Sequence, residues 1–287
     1  MKYLVTGGSG FIGSHFAEFL KSNKHKVKKL DLENADFNID LTDCRFDDIL
    51  ESAIANCDVV CHFASPIGVG NILKNISKTF DDAIVMNAKI LKYCKAYNKR
   101  IIFTSSSEVY GNSAIFKESE SLSISPKLRS SYAIQKLAME FQIRTFLKDF
   151  LILRPFNIVG IGQNKEKSVL AKWCYLAQNN KNLTVYSPFA IRSFCDISDF
   201  CDIVYQLESQ KKIGIFNVGC EFNNTNMRNL AEYICDFYYV DYCTKDPKSV
   251  FGDEFYEIQY RVPDMELTLN NVEKTDFVSL KDIIKSL

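Results

Sequence analysis

The chain has 287 residues, 47% of them hydrophobic and 24% charged, a composition that excludes disorder and supplies a large core. Lys plus Arg and Asp plus Glu each total 35, for a formal net charge of zero, which argues against a general nucleic-acid binder. The 10 cysteines include no Cys-x-x-Cys pair and several lie in apolar runs, so they read as core residues in a reducing compartment, with no metal site. No apolar run approaches the roughly 20 residues of a membrane span. The first strand starts at once, leaving no room for a secretory leader. The expectation is a cytoplasmic protein with no membrane and no nucleic-acid partner.

The first element is Lys2-Tyr3-Leu4-Val5-Thr6, a strand that runs into Gly7-Gly8-Ser9-Gly10-Phe11-Ile12-Gly13. Phe11, Ile12, Phe16, Phe19 and Leu20 then follow at helical spacing. Strand, glycine turn and helix together aim free backbone N–H groups and a helix N-terminus at a pyrophosphate. Gly7 permits the sharp turn, Gly10 lets the backbone approach the phosphates, and Gly13 lets the helix lie close on the strand. Val27 to Leu32 reads as the second strand. It carries Asp31 where a dinucleotide fold places the carboxylate that accepts the ribose hydroxyls and repels a 2′-phosphate, favouring NAD over NADP.

Residues 33–38 are too few for a crossover helix, so the next strand must be joined tightly; residues 40–50 read as helical. Asp58 to Ser65 is a near-continuous apolar strand of the kind buried on both faces of a parallel sheet. Its His62 reads as a packed strand histidine. A helix over 79–98, a strand over 100–104, a helix over 131–149 and a strand over 150–156 continue the alternation, which predicts a doubly wound parallel sheet. Beyond Asn157 the rhythm loosens. Helices are expected at 168–179, 199–208 and 226–238, with strands at 183–186, 192–197 and 213–218. The tail closes with 267–270 and a terminal helix near 280–284.

Tyr132 and Lys136 stand at i and i+4, one turn apart on one helix face. A lysine so placed stabilises a phenolate and is expected to lower the tyrosine pKa. Ser106, at the preceding strand end, is placed to hydrogen-bond the substrate oxygen that Tyr132 deprotonates.

The glycine loop, the His62-Phe63-Ala64-Ser65 strand end, Ser105-Ser106-Ser107-Glu108-Val109-Tyr110-Gly111 and Tyr132-x-x-x-Lys136 resemble the extended short-chain dehydrogenase/reductase family. More narrowly, they resemble its NAD-dependent nucleotide-sugar epimerases, dehydratases and decarboxylases. Arg154-Pro155-Phe156-Asn157, Arg192-x-Phe194 through Asp199, and Arg261-x-Pro263-Asp264 extend the likeness over most of the chain. The fold this implies is α/β, a Rossmann-like doubly wound parallel sheet with a smaller mixed α/β substrate-binding cap. The NAD-binding domain would span 1–157 and receive about 193–218, with 158–192 and 219–287 forming the cap.

The resemblance also implies the chemistry. Tyr132 takes the proton from a sugar hydroxyl, usually at C4, while hydride passes to NAD. Lys136 binds the nicotinamide ribose, and Ser106 matches the catalytic Ser/Thr. Gly7, Gly10, Phe11, Ile12, Gly13, Asp31, Asp40, Leu41, Phe63, Ala64 and Ser65 would contact the cofactor, Asp40 and Leu41 beside adenine. Ser107, Asn157, Val185, Arg192 and Arg261 would contact a nucleotide-diphosphate sugar, with Arg261 on the diphosphate; Asn87 matches a family Asn. Glu108, two residues after Ser106, resembles the Glu of dehydratases and decarboxylases and points to acid–base work at C5 or the leaving group.

Epimerisation, dehydration, decarboxylation and C4 redox chemistry all stay open. A non-catalytic dinucleotide sensor is disfavoured, because such relatives usually lack the Tyr or the Lys. A homodimer through helices 79–98 and 131–149 is expected.

Overall fold

The computed structural model describes residues 1–65, 76–111, 116–118, 130–165, 168–251 and 257–287. It divides into two compact units. One comprises Met1–Gly111, Ser121–Pro155 and Cys201–Phe216; the other comprises Asn112–Glu120, Phe156–Phe200 and Asn217–Leu287.

In the first unit, strands β1 (Lys2–Thr6), β2 (Lys26–Asp31), β3 (Phe37–Asn38), β4 (Val59–His62), β5 (Arg100–Thr104) and β6 (Phe150–Pro155) alternate with helices. The helices are α1 (Phe11–Ser22), α2 (Asp47–Ala55), α3 (Ile76–Ala96) and α4 (Ser130–Phe146). With the Gly214–Val218 strand they build a seven-stranded sheet whose order from that strand is β6, β5, β4, β1, β2, β3. From β6 to β3 every neighbouring pair runs parallel. All residues of β4 and β5 are buried, as a sheet covered on both faces requires. Leu4, Val60, Ile101, Phe103 and Ile152 on the strands meet Leu50, Ile54, Ile90 and Ile143 from the helices in one core.

The tight β2–β3 link expected from the short spacing is present. The Asp36 carboxylate accepts from Lys28 Nζ and from the Lys29 N–H, each at 2.8 Å, so one side chain closes the turn. The helix read at 40–50 begins later: the Asp43 side chain caps a short 3-10 turn at Cys44–Phe46 and α2 follows.

In the second unit, Val159, Leu170, Trp173, Leu183, Val185, Phe194, Leu230 and Ile234 form a separate core. The strand read over 192–197 is split. Ile191–Ser193 joins Asn224–Asn226 and Tyr260–Arg261 in a three-stranded sheet, whereas Cys195–Asp196 pairs with Ile158–Val159. The partner strands at 224–226 and 260–261 are too short to carry a period in the sequence. Asn217 ties this unit together. Its Nδ2 donates to the carbonyls of Phe116 (2.6 Å) and Asp264 (3.0 Å), and its carbonyl accepts from Thr268 Oγ1 at 2.6 Å. Asp199 is buried and pairs with Lys274 at 2.8 Å.

Two buried polar clusters tie the strands of the first unit. At the start of β5, Arg100 Nε meets the fully buried Glu208 at 2.5 Å, and Tyr3 Oη donates to the same carboxylate at 3.3 Å. At the ends of β1 and β4, His62 is fully buried, with Nδ1 at 2.7 Å from Thr6 Oγ1 and Nε2 at 2.9 Å from Asn87 Oδ1. The packed-histidine reading therefore holds, and Asn87 acts here as its partner. Burial lowers the His62 pKa from 6.5 to about 4.

Two outcomes are expected. Glu208→Ala leaves Arg100 Nε and Tyr3 Oη without their buried acceptor while Arg100 keeps its ion pair with Asp149, and urea unfolding should show a loss of about 1–3 kcal/mol. His62 stays neutral in the native state while the unfolded chain takes up its proton below pH 6.5. Stability from this group is therefore complete above that pH and lost as pH falls toward 4, by up to about 3 kcal/mol. Unfolding curves of His62→Gln against the wild type over pH 7 to 4 should show the difference narrowing by that amount.

Candidate functional site

The loop between β1 and α1 is set by close backbone approach. Gly7 has φ +68°, a left-handed conformation, and a Cβ there would stand 2.6 Å from the Ala64 nitrogen. A Cβ on Gly13 would stand 2.1 Å from the Gly7 carbonyl oxygen, so α1 packs directly on the turn. Gly10 is exposed, and a Cβ there would meet only the Gly7 oxygen, at 3.2 Å. No side chain caps α1 and no acidic residue occupies its first turn. An open glycine face below an uncapped helix N-terminus fits a pyrophosphate.

Asp31, at the end of β2, accepts from the Ser9 N–H (2.9 Å) and the Leu32 N–H (2.8 Å). Its carboxylate is thereby aimed beside the loop. Ser9 Oγ bonds the carbonyls of Glu33 and Asn34. Asp40 is exposed and receives the Thr42 N–H and hydroxyl, while Leu41 and Phe63 are buried. Ala64 and Ser65 are half-buried at the end of β4.

A second group gathers at the carboxyl end of β5. Ser106 caps the 3-10 turn Ser107–Tyr110, its Oγ accepting the Glu108 N–H at 3.2 Å. The hydroxyls of Ser106 and Ser65 both lie near enough to the Tyr132 oxygen on α4 to draw its pKa down. Lys136, one turn on, is 4% exposed and donates from Nζ to the Thr104 carbonyl at 2.8 Å; it stands 4.9 Å from the Phe103 ring centre and 5.7 Å from that of Tyr132. Ser107 is buried.

The electrostatics differ from the sequence expectation. Burial, followed by the Glu108 carboxylate, pushes the Tyr132 phenol up from 10.0 to about 12 against the pull of the two serine hydroxyls. Burial likewise draws Lys136 down from 10.5 to about 7, with Glu140 alone opposing. The downward shift expected of Tyr132 gives way to an upward one, because burial is the largest influence on the phenol.

Glu140 continues the same helix stripe, at i+8 from Tyr132. It binds Ser105 Oγ and forms two bonds with Arg154, Nε at 3.0 Å and Nη2 at 2.7 Å. Arg154 lies over the Tyr110 ring at 4.8 Å. Sequence reading left Ser105, Glu140 and the pairing of Arg154 without roles. The signal available was the period of four, 132, 136, 140, along one face.

The remaining predicted residues belong to the second unit. Asn157 takes φ +36° and donates from Nδ2 to the Ser193 carbonyl at 2.8 Å. Val185 is fully buried in the apolar core; its side chain packs on protein, which corrects its reading as a substrate contact. Arg192 and Arg261 are both buried and lie opposite one another across paired parallel strands. Arg192 Nη2 binds the Glu257 carboxylate.

Among the described residues no helix is long and apolar enough to cross a membrane, and no group of three or more His, Cys, Asp or Glu could hold a metal ion. The chain is 29% identical over 261 residues to a dTDP-D-glucose 4,6-dehydratase of Dictyostelium discoideum, covering 79% of this chain and 60% of that protein. It is 25% identical to the bifunctional polymyxin resistance protein ArnA of Wigglesworthia glossinidia brevipalpis, over 99% of this chain and 50% of that one. The chain thus spans half to three-fifths of the length of these relatives.

In structure it is similar to a UDP-N-acetylglucosamine 4-epimerase from Methanobrevibacter ruminantium M1 solved with UDP-N-acetylmuramic acid. The TM-score is 0.81 and the identity 24%, over 99% of this chain and 97% of that one. That likeness shows the fold. The sequence pattern of one family matches residues 3–219, three-quarters of the chain and all of the glycine loop, β5 end and Tyr132–Lys136 turn, and this chain belongs to that family, the NAD dependent epimerase/dehydratase family.

Proposed function

We propose that the chain is an NAD-dependent nucleotide-sugar-modifying enzyme acting through C4 oxidation to a 4-keto intermediate, with epimerisation or dehydration as the net outcome. One observation carries this reading: Tyr132 stands beside the Ser106 and Ser65 hydroxyls, one helical turn from Lys136, which is buried and anchored on the Thr104 carbonyl. The cofactor supplies the hydride acceptor. In this reading Gly7, Gly10 and Gly13, with the N–H groups of Phe11 and Ile12, hold its pyrophosphate. Asp31 receives the ribose hydroxyls, and Asp40, Leu41, Phe63, Ala64 and Ser65 line its path.

Tyr132 draws the hydroxyl proton from the sugar through a hydrogen bond that Ser106 orients. A phenol at about 12 yields its proton only when positive charge is near. Lys136, at about 7, supplies that charge as an ammonium up to neutral pH and fixes the nicotinamide ribose. Glu108, close enough to raise the Tyr132 pKa, favours dehydration or decarboxylation once C4 is a ketone, because a carboxyl can then move the acidified neighbouring proton or assist the leaving group. The first unit serves as the cofactor-binding domain and the second as the substrate cap. Ser107 and Asn157 contact the sugar, and Arg192 and Arg261 the diphosphate.

We place the protein in the cytoplasm, supported by its ten free cysteines. We also assign it a homodimer built on α3 and α4, supported by the exposed Ile84, Val85, Ile134 and Phe141 on these two helices.

Incubation with UDP-, dTDP-, GDP- and CDP-sugars should give one converted product, read by mass spectrometry for lost water or carbon dioxide and by NMR for isomers. Tyr132→Phe should lower turnover by about 10²–10⁴-fold with NAD affinity unchanged in calorimetry; retained turnover would exclude the proton-transfer assignment. Light scattering should give twice the chain mass, and Phe141→Glu should halve it.

A further inference from the structure

Three consecutive residues at the carboxyl end of β5 meet three residues spaced one turn apart on α4. The Thr104 carbonyl accepts from Lys136 Nζ at 2.8 Å, the Ser105 hydroxyl donates to the Glu140 carboxylate, and the Ser106 hydroxyl lies near the Tyr132 oxygen. Tyr132, Lys136 and Glu140 stand at i, i+4 and i+8 on one helix face. Glu140 is 2% exposed, and a carboxylate so buried needs hydrogen bonds and opposite charge to stay ionised. It has both. Besides Ser105, Arg154 on β6 donates to it from Nε at 3.0 Å and from Nη2 at 2.7 Å.

We infer that Glu140 is a positioning residue for the Tyr132–Lys136 pair: it fastens the end of β5 to α4 and supplies the negative charge that keeps Lys136 an ammonium beside the phenol. The inference rests on the proposed role of that pair in moving the sugar's proton. The titratable groups around the pair are Glu140 on α4 itself, His62 on β4, Glu108 beyond β5 and Arg154 on β6. His62 is kept neutral by burial. Glu108 acts on the phenol and raises it, and Arg154 is bonded to Glu140. Against the burial that draws Lys136 down, Glu140 is the group that pulls it up.

The test follows Lys136 directly, by NMR titration of isotope-labelled lysine side chains in the full chain, with Lys136→Met to assign its signal. Wild type should titrate near 7. Glu140→Gln should titrate at about 6 or below, because an opposite charge one turn away shifts a group by about one unit or more. Arg154→Gln leaves the Glu140 charge to Lys136 alone and should move the midpoint above the wild-type value, a change of opposite sign that a loosened helix does not produce. With the converted nucleotide sugar as substrate, the ratio of wild-type to Glu140→Gln kcat/KM should widen about tenfold from about pH 5 to about pH 8, the loss falling on kcat.

A Lys136 midpoint that moves in neither variant, or a kcat/KM ratio flat in pH, would mean that Glu140 serves stability only, and would overturn the inference while leaving the nucleotide-sugar reading intact. If Glu140→Gln does not fold, an Arg154→Gln midpoint at or below that of wild type overturns the inference. A folded wild type that converts no nucleotide sugar would overturn that reading, and with it the role of Glu140 in the reaction, whatever the titrations show.

Discussion

The burial of one lysine organises the first unit around the carboxyl end of β5. Lys136 lies against the Thr104 carbonyl, where water is excluded. An amine in such a place loses much of its preference for the charged form, and the surrounding structure limits that loss. Glu140, one turn further, supplies negative charge and is itself held by Arg154 and Ser105. Thr104 and Ser105 belong to the end of β5, Arg154 to β6, and Lys136 and Glu140 to α4. One polar cluster thus fixes the helix that presents Tyr132 against the strand end that presents Ser106. Removing charge from any member leaves a buried partner unsatisfied.

A different constraint shapes the glycine loop. Gly7, Gly13 and Ala64 approach so closely that no side chain fits between them. The backbone itself, rather than side chains, forms the surface at the start of α1. Asp31 joins this surface through the Ser9 N–H, so the carboxylate proposed to receive the ribose hydroxyls also stiffens the loop. The β1–β4 tie through Thr6, His62 and Asn87 lies just beneath. With His62 neutral, this tie adds no charge beneath the turn.

The second unit is tied by polar groups of its own. Its arginines are set by strand register, and a glutamate from the neighbouring segment balances part of their charge. Its small sheets are held by Asn217 and by the Asp199–Lys274 pair, polar contacts where the strands are too short to supply many backbone bonds.

How far the sequence reaches can be read from particular residues. Gly7, Gly10 and Gly13 between an apolar run and a helical period, Asp31 after the second strand, and Tyr132 with Lys136 at i+4 are local patterns, and local patterns survive in one dimension. They were enough for the parallel sheet, the glycine turn and the face carrying the phenol. The tyrosine pKa was misread because desolvation depends on what lies above and around a group, and no spacing records that. Val185 was misassigned for the same reason: its alternation is that of a strand, but which side the core lies on depends on Trp173 and Leu230 from distant segments.

Sequence alone determined the alternation of strands and helices in the first unit and the residue types at the turn and on the helix face, because backbone sterics and hydrophobic period act over a few neighbours. Tertiary structure decided that Ser65 reaches the Tyr132 oxygen, that Glu140 stands behind Lys136, and that Arg192 and Arg261 share a register with Glu257 beside them. Each of these depends on segments that are distant along the chain or on the burial they create, and only folding brings such groups close enough for their charges and hydrogen bonds to act.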